Sequence, residues 1–339
     1  MKPMTSSRVA AAAALCGAPL LADAEPAMSY LHTFGPAGDP ATRLGWGLAI
    51  ISIVVVVVIT VLLLAAALRR RLPSADPRAL AVHRDEGGMP WLYIGVGVST
   101  VVLVGCAVWT MFTVAAVAMP TQTVLTLQVT AAQWWWSVRY ESSEPDRIFT
   151  IANEIHIPVG RPVRIELASQ DVIHSFWIPQ LAGKMDVIPG QTNVTWLQAD
   201  QPGTYRGQCG EYCGAQHAHM AMYVVADTPQ DYAIWVRDQL RDAAAPASEA
   251  ARLGEQAFTA HCAACHAVRG TDAGGILGPD LTHLMSRHTI AAGLLPNTPG
   301  NLAAWIADSQ ALKPGSRMPA LALSGRDLSA TLTYLQTLH

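Results

Sequence analysis

No charged residue interrupts the stretch from Leu44 to Leu68. A helix of that length rises at ~1.5 Å per residue and outreaches the roughly 30 Å hydrocarbon core of a bilayer. Trp91 to about Ala118 is a second such run. Arg69, Arg70, Arg71, Arg78 and Arg84 lie between them, and an arginine excess in a short loop keeps that loop in the cytoplasm. The two runs therefore predict a transmembrane hairpin with spans at about 44–68 and 91–118 and both ends on the outer face. Core helices of a soluble protein are the alternative, disfavoured by runs this long and tipped by arginines. Residues 1–24 read as a secretory signal: Lys2 and Arg8 supply the positive start, Val9 to Leu21 a short apolar core, and Ala22-Asp23-Ala24 a small-x-small cleavage site. That core is too short to span. Cys16 does not make a lipoprotein site, because Ala13-Ala14-Leu15 is a poor processing motif.

Beyond Pro120 the periodicity changes. Val124 to Thr130 alternates with period 2, as a half-buried strand does. Ser137 to Tyr140, Ile148 to Ile151, Val163 to Ala168, Asn193 to Leu197, Gly203 to Arg206 and Ala221 to Val225 read likewise, punctuated by prolines and glycines. Short strands with turn signals predict an all-β sandwich or barrel over residues 120–240. Thr228-Pro229-Gln230 starts a short helix reaching Leu240. Residues 241–248, rich in alanine, read as a flexible linker. The last module, 249–339, is helical, with helices at Glu249–Ala260, Leu302–Asp308 and Leu328–Leu338. The net charge of −3 argues against nucleic acid as a partner.

Four of the six cysteines fall in two close pairs, each beside a histidine. Cys209, Cys213, His217 and Met220 lie in one short segment. Thiolate, imidazole and thioether together favour copper over harder cations. A disulfide or redox pair is the simpler alternative in an exported domain, but it needs neither a histidine nor a methionine at fixed offsets. A mononuclear blue-copper site takes one cysteine, two histidines and an axial methionine. Two cysteines can instead bridge two metal ions, leaving one histidine for each. His174, between two predicted strands, is the candidate for the second histidine. Met220 and a backbone carbonyl complete the set.

With these residues in view, the chain from about 42 to 240 resembles subunit II of a haem–copper cytochrome c oxidase. Cys-x-Glu-x-Cys-Gly-x-x-His-x-x-Met is complete at 209–220, and Asp171-x-x-His174 stands upstream. The resemblance implies a cupredoxin-like domain with a dinuclear copper (CuA) centre held by His174, Cys209, Cys213, His217, Met220 and the Glu211 carbonyl. It implies a magnesium ion near the Glu211 carboxylate at the boundary with subunit I. Quinol oxidases lack the cysteines, so a quinol donor is disfavoured. His219 has no ligand role in the pattern. His156 resembles a family segment outside the copper shell and reads as structural. Among Trp134, Trp135 and Trp136, Trp134 matches the tryptophan that receives electrons from cytochrome c. An exposed aromatic run marks a contact surface, or else a membrane-interface belt. Gly183 to Gly190 resembles a segment facing subunit I, where Lys184 and Asp186 would make polar contacts; a solvated turn fits it equally.

Cys262-Ala263-Ala264-Cys265-His266 is the signature of c-type haem attachment. Two thiols on one helical turn add to the haem vinyl groups, and His266 follows as proximal iron ligand. A thioredoxin-like pair would not need the histidine. Met318, in Arg317-Met318-Pro319, is the candidate sixth ligand, ahead of Met285, His283 and His288. Gly254, Phe258, Gly278-Pro279-Asp280-Leu281 and Tyr334-Leu335 resemble small class I cytochromes c. The whole chain thus resembles the fused subunit II of caa3-type oxidases. That implies one covalent haem c besides the copper pair, with subunits I and III, an electron donor such as cytochrome c, and a bacterial inner membrane as partners. The expected function is electron input to a terminal oxidase that reduces oxygen in subunit I with proton pumping. The alternatives are the CuA-bearing subunit of a nitric oxide reductase-type enzyme and a membrane-anchored copper-binding or assembly protein.

Overall fold

The computed structural model describes residues 28–69 and 89–339. The expected signal segment lies outside the described residues, as do Arg70, Arg71, Arg78 and Arg84. Helices α1 (Asp39–Leu68) and α2 (Met89–Ala116) are long and apolar enough to cross a membrane, and their apolar stretches are not buried by the protein itself. Helix α1 begins before the apolar run because Asp39 and Pro40 make a good first turn. An acidic side chain suits the positive end of the helix dipole, and proline loses no hydrogen bond there. The helices touch at Gly47, where an added Cβ would sit 2.2 Å from the Trp109 ring. The end of the hairpin is fastened to the β domain by Trp196, whose indole N–H donates to the Val117 carbonyl at 3.0 Å.

The middle of the chain is a β-sandwich. Its strands are β1 (Leu125–Ala132), β2 (Trp135–Tyr140), β3 (Phe149–Ala152), β4 (Glu154–Pro158), β5 (Val163–Ser169), β6 (His174–Phe176), β7 (Met185–Val187), β8 (Asn193–Leu197), β9 (Gly203–Gln208) and β10 (Ala221–Asp227). One sheet runs β3-β2-β1-β5-β8, the other β4-β10-β9, and β6 and β7 pair as a small ribbon. The alternation read in β1 is the pleat itself: Leu127, Val129 and Ala131 point inward and are fully buried. Three strands are absent from the sequence reading. β4 does alternate, Glu154 and His156 with Ile155 and Ile157, but the pattern is only four residues long before Pro158 and all five positions are buried. β6 and β7 are too short for any period to register. His174 is accordingly not between strands but at the first position of β6, and Met185-Asp186 is strand rather than turn.

His156 is structural. Its Nδ1 lies 2.7 Å from Asp227 Oδ2, its Nε2 3.3 Å from Glu154 Oε1, and its ring stacks on Trp235 at 4.2 Å. Burial opposes charge on this ring, but the bonds to Asp227 and Glu154 raise its pKa above the ordinary 6.5. Burial likewise pushes Glu154 up, and bonds to His156 and His288 bring it below its ordinary 4.5. A raised histidine stabilises fully below 6.5 and loses that contribution as pH rises through its folded value. A depressed carboxylate stabilises above 4.5 and loses it as pH falls. Thermal unfolding of the full chain should therefore show a midpoint that declines from about pH 6.5 upward, and His156→Gln should flatten that decline. An unchanged slope in the variant would refute the assignment.

Helix α3 (Pro229–Gln239) closes the sandwich. The C-terminal module holds α4 (Glu249–His261), a two-residue ribbon β11 (Thr289–Ile290) and β12 (Leu295–Pro296), α5 (Pro299–Ala307), α6 (Ser309–Leu312) and α7 (Gly325–Leu335). Thr228, Ser248, Thr298, Asp308 and Ser324 cap α3 to α7 by accepting backbone N–H bonds, which sets each start. Helix α5 starts earlier than expected because Thr298-Pro299 is such a cap. Phe258, Leu302, Ile306, Tyr334 and Leu335 form the core of the module. The segment expected to be a flexible linker is tied at its start: Ala243 N–H donates to the Arg269 carbonyl at 3.0 Å, and the Arg241 carbonyl meets His283 Nε2 at 3.0 Å.

Candidate metal centres

The loop from Cys209 to Met220 joins β9 to β10. Cys209 N–H donates to the Met220 carbonyl at 2.9 Å, which closes the loop into a ring at its base. Gly210 N–H donates to the Ser175 carbonyl at 2.8 Å and sets β6 against it. The sulfurs of Cys209 and Cys213 lie 3.7 Å apart, far beyond the ~2.0 Å of a disulfide, and both thiols are free. His174 Nδ1 lies 3.8 Å from the Cys209 sulfur and His217 Nδ1 3.6 Å from that of Cys213. The Met220 sulfur is 3.9 Å from Cys213, and the Glu211 carbonyl is 3.2 Å from Cys209. The other four donors named from the sequence therefore gather around these two sulfurs. The ligating atoms of His174, Cys209 and Cys213 lie within 4.8 Å of one another.

The orientation of these donors is set from behind. Asp171 Oδ1 lies 2.9 Å from His174 Nε2. A carboxylate can only accept, so Nε2 carries a proton and Nδ1 is the nitrogen that faces the sulfurs. Burial pushes Asp171 up, but bonds from His174 and from the backbone of Gln133 and Val172 hold it below the usual carboxylate range. A hydrogen bond from Cys213, working against burial, holds Cys209 well below the usual thiol range, and Cys213 is pushed up by Cys209 and then by burial. Gln133 Nε2 and the Trp134 indole N–H both donate to the Cys213 carbonyl, at 2.7 and 3.0 Å. Trp136, by contrast, is core: it is fully buried and meets His174 and Phe176 edge-on. Thus the tryptophan run is not an exposed patch, and Trp134 itself is only 8% exposed. Glu211 and Lys184, both half-exposed, form a loose pair at 3.7 Å.

In the C-terminal module, His266 Nδ1 lies 2.8 Å from the Pro279 carbonyl, which again leaves Nε2 as the free donor. Burial lowers its pKa, keeping the imidazole neutral as a metal ligand requires. Gly278 makes room for the ring, since an added Cβ would lie 2.7 Å from its Cε1. Cys262 and Cys265 are free. Burial, then Cys265, pushes the Cys262 thiol up to about 11, whereas a thioredoxin-like cysteine is activated by a lowered pKa. His283 has both ring nitrogens on carbonyls, those of His339 and Arg241, and His288 Nδ1 faces Glu154 at 3.0 Å. The Met318 carbonyl accepts from Ser309 Oγ at 2.8 Å, and its side chain is half-buried.

Sequence reasoning met Lys313 only as the start of the Lys313–Pro319 segment that supports the resemblance and gave its side chain no role. Its ammonium group is buried and meets three backbone carbonyls, those of Trp134, His219 and Ala291. No local pattern could reveal it, because the acceptors are main-chain atoms of three distant segments.

Residues 143–227 match the family model of the cytochrome c oxidase subunit II periplasmic domain, and residues 251–339 match that of cytochrome c. A cytochrome c oxidase subunit 2 from Alkalihalophilus pseudofirmus is 42% identical over 214 residues, covering 62% of this chain and 60% of that protein. One from Bacillus sp. strain PS3 is 33% identical over 226 residues, 62% of each. The chain thus spans about 60% of the length of these curated relatives. The crystal structure of the periplasmic domain of subunit II of Bradyrhizobium japonicum cytochrome oxidase aligns with a TM-score of 0.34 at 31% identity, over 36% of this chain and 96% of that one.

Proposed function

Since the chain joins a cytochrome c oxidase subunit II domain to a cytochrome c domain, we propose that it is the electron-input subunit of a proton-pumping haem–copper oxidase. The observation that carries this reading is the convergence of two imidazoles, a thioether and a backbone carbonyl on the Cys209–Cys213 sulfur pair. His174, Cys209, Glu211 through its carbonyl, Cys213, His217 and Met220 would hold two copper ions. Cys262 and Cys265 would bind haem c covalently, with His266 and Met318 as axial ligands. When bound, these groups supply reversible one-electron storage. The protein's own part is orientation. Asp171 and the Pro279 carbonyl fix the tautomers of His174 and His266, and Gln133 and Trp134 immobilise the backbone of Cys213. Burial of Cys209, Cys213 and Met220 keeps water away from the sulfurs, and rigid, dry sites limit reorganisation. Trp134 lies between the two modules, as a residue receiving electrons should.

Helices α1 and α2 would anchor the chain in a bacterial inner membrane, with the large C-terminal part on the outer face. Subunit I would accept the electrons and reduce oxygen, with subunit III beside it. Glu211 would turn its carboxylate to a magnesium ion at the subunit I boundary. A lone carboxylate is too little to hold that ion, so the remaining ligands would come from subunit I.

Oxygen uptake by the purified complex, driven by ascorbate and a mediator, tests this reading. The expected result is cyanide-sensitive oxygen consumption. Nitric oxide turnover without oxygen uptake would replace it with the reductase reading. Copper bound with no catalytic complex at all would favour an assembly role.

A further inference from the structure

We infer that Lys313 is a positioning residue that locks the haem domain onto the copper-binding face, so that the chain carries a seated donor rather than a swinging one. This inference rests on the electron-input reading above. Lysine is almost never fully buried unless paired, yet Lys313 is only 3% exposed. All three of its protons are used: Nζ donates to the Trp134 carbonyl at 2.8 Å, the His219 carbonyl at 2.7 Å and the Ala291 carbonyl at 2.9 Å. Two of those acceptors belong to the copper domain, in the β1–β2 turn and beside Met220; the third belongs to the haem domain. Among the described residues no carboxylate bonds to the ammonium group, and burial depresses its pKa to about 7, so the socket is a costly place for a charge. What the arrangement accomplishes is geometric: one cation stitches three backbone segments at the point where the two modules meet.

The neighbouring contacts continue the seam. Gln216 Nε2 donates to the Pro314 carbonyl at 2.9 Å. Gly315, at φ +81, lays its backbone on the Trp134 ring, where an added Cβ would be 3.5 Å from Cη2. Arg317 Nη2 pairs with Asp171 Oδ2 at 3.0 Å, and the other oxygen of Asp171 holds His174. Further off, Ala221 N–H donates to the Ala292 carbonyl at 3.0 Å, and Glu154 Oε2 accepts from His288 N–H at 3.0 Å. Thus the segment leading to Met318 rests directly on Trp134 and reaches the partner of a copper ligand. A flexible tether alone would raise the effective concentration to the order of mM and leave the encounter random. The lock selects one geometry. It also covers Trp134, so a diffusing donor must deliver to the haem domain and not to the copper face.

The test uses the full metal-loaded chain, wild type and Lys313→Met, with hydrogen exchange and the spectra of both centres read on the same samples. With both spectra intact in the variant, exchange in residues 131–136 and 216–221 is expected to rise at least ~10-fold, the span of one decade in a local opening equilibrium. Electron equilibration between the centres after photoreduction of the haem is expected to slow by a similar factor and to become viscosity-dependent. Wild-type protection together with a viscosity-independent rate in Lys313→Met would overturn the lock. If Lys313→Met loses either spectrum, Lys313→Gln, which keeps an amide donor in the socket, decides by the same two readouts. Absence of the copper or haem spectrum from the wild type would instead defeat the electron-input reading.

Discussion

Cys213→Ser is expected to abolish the proposed dinuclear copper centre. A serine hydroxyl is not ionised at neutral pH and is a hard, weak ligand for copper, so it cannot bridge two ions as a thiolate does. The remaining donors, Cys209, His174, His217 and Met220, are one thiolate, two imidazoles and a thioether, the set of a mononuclear site. The copper-to-haem ratio should therefore fall by about half or more, and the mixed-valence paramagnetic signal should vanish. Electron delivery to the oxidase should fall by more than the ~10–100-fold typical of losing only an outer partner of a ligand. The fold should survive, since Cys213 sits in a loop closed by the Cys209–Met220 backbone bond and a serine fits its space. Metal analysis and paramagnetic spectroscopy of the purified variant decide the matter. A full complement of copper with an unchanged signal would mean that the two sulfurs do not bridge.

Gly254→Val is expected to unfold the haem domain. A Cβ at Gly254 would stand 2.1 Å from the Ala330 carbonyl oxygen and 2.7 Å from the Tyr334 Cβ, so α4 and α7 cross almost backbone to backbone. Glycine inside a helix ordinarily costs about 1 kcal/mol relative to alanine. It is tolerated here because the close crossing lets Phe258 and Tyr334 meet, at 5.6 Å between ring centroids. Neither clashing atom can swing away, because one is backbone and the other is attached to it. Overpacking of this kind costs about 1–3 kcal/mol or more, and valine adds none of alanine's helix preference. Urea unfolding followed by the Soret signal should shift to a much lower midpoint, with the copper signal little changed. An unshifted midpoint would show that the helices separate without cost.

Much of the candidate site was legible because its residues are local. Cys209, Cys213, His217 and Met220 fall on one short loop, and Cys262, Cys265 and His266 on one turn, so spacing exposes them; Glu211 came only from the resemblance. His174 was reachable through ligand counting, since two thiolates and one histidine leave a copper ion short of an imidazole. Asp171 entered only as part of a motif; its bond to His174 Nε2 and its pairing with Arg317 belong to the folded molecule. The tryptophan run misled because it crosses an element boundary: Trp134 stands in the turn before β2, and Trp135 and Trp136 begin the strand on opposite faces. Trp136 turns into the core, while Trp134 is covered by a module far along the chain. Strand β4 was passed over because its alternation, Glu154-Ile155-His156-Ile157, stops after four residues at Pro158; its polar residues are buried, each with a partner.

Local chemistry and periodicity thus determined the apolar hairpin, the alternating strands, the capped helices and the two sets of candidate metal-ligating side chains. Each of these depends on interactions within a few residues or on the solvent that a segment faces. Tertiary structure alone decided how the two modules sit together. The socket of Lys313 is built from the carbonyls of Trp134, His219 and Ala291, and every residue has a carbonyl. Only the folded backbone brings those three to one point, and no spacing in the chain could announce it.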